Sequence, residues 1–81
     1  MGKFVTIVVE ATPHLWPKNA TISYSDVVTL EFPDFALHPN RTYSVTYRRG
    51  HGSKPEGILA PGATTKVKDR MEFNVTDTGQ S

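Results

Sequence analysis

The sequence predicts an α+β domain, a mixed four- to five-stranded sheet with one helix on one face. Three observations predict it. Phe4–Val9 and Arg41–Tyr47 are rich in β-branched or aromatic residues and alternate with a period of two. Between them, a single short segment has helical spacing, with a capping pattern at its start and Pro33 at its end. A last strand then presents Met71, Phe73 and Val75 on one side.

The first strand, Phe4 to Val9, places Val5, Ile7 and Val9 on one face. Pro13 marks a turn over residues 10–14, and a second strand is expected from Leu15 to Ile22. Trp16 stands beside Pro17, which has no N–H to give a ladder, so this strand belongs at a sheet edge. The two strands read as an N-terminal hairpin.

Ser23-Tyr-Ser-Asp26 is a helix start. The serine hydroxyl can accept an orphan N–H three residues on, while the Asp26 carboxylate reaches back and meets the positive end of the helix dipole. Tyr24, Val27, Val28, Leu30 and Phe32 follow with helical spacing, and Pro33 stops the helix at Phe32. So short a helix does not hold alone and must pack on the sheet.

Residues 33–40 read as a loop, with Phe35 and Leu37 tucked under the domain. Arg41 to Tyr47 is the cleanest strand, with Tyr43, Val45 and Tyr47 alternating with Thr42, Ser44 and Thr46. A polar, glycine-rich loop over 48–55 leads to a short strand, Gly57 to Ala60, closed by a Pro61-Gly62 turn. Thr64 to Lys68 connects to the closing strand, Met71 to Thr76. The expected core is Val5, Ile7, Val28, Leu30, Val45, Tyr47, Phe73 and Val75. Placing first and last strands side by side in parallel buries both, and with the central helix this order is that of the β-grasp.

Size and composition narrow the function. At 81 residues the chain is one domain, too small for a deep dry cleft, so a binding module, carrier or modifier fits better than a free-standing enzyme. The absence of cysteine removes disulfides, thiolate metal sites and a cysteine nucleophile. A formal charge of +1 gives no counterion-release mode of nucleic-acid binding. No signal-peptide pattern and no membrane-length apolar run is seen, which points to a cytoplasmic setting.

Side-chain chemistry is sparse. His14, His38 and His51 fall in three different segments without metal-ligand spacing, so neither a metal nor a cofactor is expected. Ser23 is explained as a cap rather than a nucleophile, and Asp26 and Glu31 are not a positioned acid–base pair. Arg48, Arg49, His51 and Lys54 form the densest basic cluster. It reads as a surface for an anionic partner, or as a solvated loop kept soluble by its charge. No helix follows Gly50 and Gly52, so they do not form a phosphate loop.

Four stretches carry a resemblance. They are Ile22-Ser-Tyr-Ser-Asp-Val-Val28, Tyr43-Ser-Val-Thr-Tyr47, Lys54-Pro-Glu-Gly-Ile-Leu-Ala-Pro-Gly62 and Val67-Lys-Asp-Arg-Met-Glu-Phe-Asn-Val75. Together they resemble the prokaryotic multi-ubiquitin and related bacterial ubiquitin-like domains. The last stretch is also similar to the closing strand of the sulfur carriers. The resemblance implies a β-grasp protein modifier that works with an activating enzyme, a conjugating enzyme and a JAB-type metallopeptidase. It also implies joining to target proteins in defence against phage.

On this reading the domain spans 1–76 and residues 77–81 are a flexible C-terminal tail that presents Gly79 for conjugation. Lacking Cβ, a glycine lets a terminal carboxyl thread a narrow channel and be attacked without hindrance. There is no terminal Gly-Gly, and Gln80-Ser81 lie beyond Gly79, so the tail requires trimming. A sulfur carrier using the same carboxylate, and an interaction module with an inert tail, are the alternatives.

Overall fold

The protein is described from a computed structural model covering residues 3–50, 52 and 55–80. The chain runs through β1 (Phe4–Val9), β2 (Thr12–Pro17), β3 (Thr21–Ser23) and α1 (Tyr24–Glu31). A 3₁₀ turn (Phe35–Leu37) leads to β4 (Arg41–Arg48), β5 (Gly57–Ile58), β6 (Thr64–Lys66) and β7 (Glu72–Gln80). Among the described residues, five strands form one sheet in the order β2-β1-β7-β4-β5, and β3 pairs with β6 in a separate ladder. β1 and β7 are parallel, with Val8 opposite Glu72 and Val9 opposite Phe73. The other pairs are antiparallel. This is the expected β-grasp arrangement, with first and last strands adjacent and α1 across one face.

The cap forms as its residue types dictate. Asp26 N–H donates to Ser23 Oγ at 3.0 Å, and Ser23 N–H donates to Asp26 Oδ2 at 3.0 Å. Phe32 closes α1, its N–H reaching Val28 O at 2.7 Å. The helix turns Tyr24, Val27 and Val28 onto a core with Ile7, Val9, Val45, Phe73 and Val75. Val5, Leu30 and Tyr47, also expected inside, pack against that core from its margin. Ile22, Leu59, Val67 and Met71 are buried as well. Phe35 packs edge-on against Tyr24 and Tyr43, with ring centroids 6.2 and 5.6 Å apart. Leu37 is not tucked under the domain; it is 77% exposed.

Several boundaries differ from expectation. The first turn is the two-residue loop Glu10-Ala11, with φ of 49° and 68°, and not a turn over 10–14. Two positive φ values suit a tight hairpin whose twist matches its strands. Pro13 therefore lies inside β2, opposite Val8, and Pro17 lies opposite Phe4. With the Val9–Thr12 pair closing the turn, both prolines aim their nitrogens at the open edge, where a missing N–H costs nothing. The chain then turns again at Asn19, φ 65°, so the expected strand over 15–22 is two strands.

Residues 64–66, expected as a connector, form β6 against β3. β5 is only Gly57–Ile58, although Leu59 N–H still donates to Val45 O at 2.8 Å. The closing strand starts at Glu72 and does not end at Thr76. Residues 77–80, expected as a flexible tail, continue β7 along β4, with Thr42 opposite Gly79 and Arg41 opposite Gln80. The apolar pattern stops at Val75, and it was that pattern, not the hydrogen bonding, that set the expected boundary.

Candidate functional site

The end of β7 is held by polar contacts in place of a core. On its β1 side the parallel ladder stops as β1 enters the Glu10-Ala11 turn. Glu10 N–H donates to Phe73 O at 3.0 Å, and the Glu10 carboxylate then accepts the Val75 N–H at 2.7 Å. One acidic side chain thus satisfies a part-buried backbone donor that β1 no longer reaches.

On the β4 side the register shifts between Thr42 and Tyr43, a bulge that sets Tyr43 opposite Asp77 and Thr42 opposite Gly79. Gly79 has a φ of 99°, a conformation that side chains with a Cβ rarely adopt. The glycine therefore has a structural reason of its own at this position.

Asp77 is the centre of the local network. Its Oδ2 accepts from Arg41 Nε at 3.1 Å and from Arg41 Nη2, a two-donor pair across the strands. Its Oδ1 accepts the Gly79 N–H at 2.8 Å. The Arg41 hydrogen bond, followed by the Gly79 N–H, lowers the Asp77 pKa from its ordinary value. Asp77 in turn raises that of Arg41. Thr42 Oγ1 and Thr78 Oγ1 lie 2.7 Å apart, and the Thr42 hydroxyl reaches Gly79 O at 3.2 Å. If Thr78 donates to Thr42, and Thr42 to the Gly79 carbonyl, both contacts are satisfied at once.

The basic cluster is only partly brought together. Arg48 Nε donates to Glu72 Oε1 at 2.7 Å, and Arg49 Nε lies 3.4 Å from Glu72 Oε2. Two guanidinium groups share one carboxylate, and both arginine side chains stay well exposed, at 62% and 66%. His51 and Lys54 lie outside the described residues. His14 is half-buried on β2, while His38 pairs with Asp34 at 3.0 Å, one helical turn apart. Among the described residues, no group of three or more His, Asp or Glu gathers to hold a metal, and no helix is long and apolar enough to cross a membrane.

Sequence reasoning singled out Gly79 but missed Arg41, Thr42 and Asp77, which fix its conformation. The signal was present in the short polar residue two before the glycine, since an aspartate readily bonds a backbone N–H two positions on.

Comparison with known proteins adds one finding. A family model described as Multiubiquitin matches residues 5–79, from inside β1 through to Gly79. Searches of curated proteins and of solved structures return no match.

Proposed function

The chain belongs to the Multiubiquitin family, and from that premise we propose that it is a protein modifier of a bacterial conjugation system, joined to targets through Gly79. The observation that carries the reading is the family match running through a β-grasp body to Gly79, near the end of the last strand. The chain's own contribution is a rigid body and an extendable end; partner enzymes supply the catalysis. After removal of Gln80 and Ser81, the Gly79 carboxylate would attack the α-phosphate of ATP, forming an acyl-adenylate and releasing pyrophosphate. An enzyme thiol then displaces AMP to give a thioester, and a target amine displaces the thiol to form an amide.

The partners on this reading are an activating enzyme, a conjugating enzyme, a JAB-type metallopeptidase for trimming, and cytoplasmic target proteins. Defence against phage is the setting that the resemblance implies. The basic pair Arg48 and Arg49, with His51 and Lys54, is the proposed partner surface. A sulfur carrier would use the same carboxylate as a thiocarboxylate, but the residues beyond Gly79 disfavour it.

A second reading is an interaction module whose C-terminal segment is inert. The pairing of residues 77–80 with β4 favours it, because a positive φ at a bulge accounts for Gly79 without any chemistry. The deciding experiment is pyrophosphate exchange and thioester formation by a form ending at Gly79, with its cognate activating enzyme. Thioester formation by this form and its loss in Gly79→Val are expected, with Val45 amide exchange unchanged in the variant to show that the core stays folded although valine is strained at φ 99°. No thioester from either form would leave the inert module as the better account, and equal transfer by both would remove the requirement for glycine at position 79.

A further inference from the structure

The last residues of β7 lie outside the flanked part of the sheet. β1 reaches only Phe73, with Glu10 bridging to Val75, and the β5 segment covers β4 at Thr46 and Tyr47 and, through the Leu59 N–H, at Val45. Residues 77–80 and 41–43 therefore form a two-stranded ribbon that no further strand flanks among the described residues, although on the β4 side the Tyr24 hydroxyl bonds the Tyr43 backbone and His38 O accepts the Arg41 N–H. Such a ribbon is marginal by itself. Tyr43 ties the β4 side to the core, but Asp77 and Thr78 are exposed and Gly79 has no side chain, so no apolar burial anchors residues 77–79. A few polar contacts decide whether the segment is docked, and Asp77 makes the most of them, holding Arg41 through one oxygen and the Gly79 N–H through the other.

We infer that Asp77 is a latch, holding the C-terminal segment docked on β4 so that its release governs how much of the protein is open to processing beyond Gly79. An enzyme that takes a chain end into a narrow channel needs it as a single extended strand. While docked, Gly79 has its N–H on Asp77 and its carbonyl on Thr42, and neither is free for a channel wall. Arg41 supplies the opposing charge and Thr42 the second clasp, on the other face of the ribbon. The inference rests on the modifier reading for its purpose, but the latch itself is a property of the isolated domain.

The test compares the intact chain with Asp77→Ala, Arg41→Ala and, as a control at the far end of the same strand, Glu72→Gln. Amide exchange of Thr78 and Gly79, read by NMR, is expected to be slower than in an unstructured peptide. Loss of the surface ion pair in Arg41→Ala should speed it roughly two- to fivefold. Asp77→Ala also removes the Gly79 contact and should speed it roughly tenfold. Glu72→Gln should leave it unchanged, and in all variants Val45 exchange and the melting temperature should stay as in the parent. As a probe of access, carboxypeptidase Y should release Ser81 and Gln80 faster from Asp77→Ala by a similar factor. Peptide-like exchange at Gly79 in the parent, or equal exchange and trimming in parent and Asp77→Ala, would overturn the latch. Neither assay uses an activating enzyme. A confirmed latch with no thioester from any form would count against conjugation at Gly79 alone.

Discussion

The Glu10 carboxylate accepts the Val75 N–H at 2.7 Å across a sequence separation of 65 residues. The contact sits where the parallel ladder runs out: β1 has turned away into its hairpin while β7 goes on. Val75 is buried, while the hydrogen bond itself is part-buried and Glu10 is exposed. Replacing Glu10 with Ala should lower stability by about 0.5–1.5 kcal/mol, the net worth of one hydrogen bond. Glu10→Gln, which keeps an acceptor oxygen, should cost less. Equilibrium urea unfolding of the two variants checks the order, and equal stabilities would remove the carboxylate from the account.

The reciprocal Ser23–Asp26 cap sets the start of α1, an eight-residue helix that depends on its ends. Ser23→Ala should destabilise by about 0.5–2 kcal/mol. Thermal unfolding followed by circular dichroism measures the loss, while Ser25→Ala, exposed in the same first turn and outside the reciprocal Ser23–Asp26 bonds, should leave the midpoint almost unmoved.

Val45 is 1% exposed at the centre of the core. An aspartate there would be a charge without a partner, so Val45→Asp should abolish cooperative unfolding. The same change at neighbouring Ser44, exposed on the opposite face of β4, should be tolerated. A normally folded Val45→Asp would mean that the strand turns its other face inward.

Asp77 gives the ribbon a pH dependence whose sign follows from its lowered pKa. The folded state favours the charged carboxylate, held first by Arg41 and then by the Gly79 N–H. Docking therefore keeps its full contribution above the ordinary value of 3.8 and loses it as pH falls through the lowered folded value. A carboxyl-carbon NMR titration should place the Asp77 midpoint below 3.8, with the Gly79 amide shift following it. Arg41→Ala should move that midpoint upward. A parent midpoint at or above the ordinary value would contradict the ion pair.

Much of the fold was legible because burial leaves a period in the sequence. The alternation in β4, the capping box at Ser23 and the apolar face of β7 led to the sheet, the helix and the β-grasp order. What escaped carries no such period. The Glu10-Ala11 turn holds two positive φ values without the Asn or Gly that normally announces one, so Pro13 drew the turn to the wrong place. β3 and β6 are three residues each, too short for a pattern. At the candidate site, Gly79 was visible as a residue type. Its docking was not, because a bulge and polar contacts from Arg41 and Thr42 arise from strand register rather than local spacing.

The sheet order β2-β1-β7-β4-β5 puts the last strand in the middle. Without β7, the β1–β2 hairpin and the β4–β5 pair have no ladder between them, and Ile7 and Val9 lose Phe73 and Val75 as neighbours. β7 thus joins the two halves of the sheet, and its pairing with β1 is the most non-local of the ladders. A chain cut before β7 would leave both halves of the sheet unjoined. The strand that carries Gly79 is thus also the strand on which assembly of the whole sheet depends.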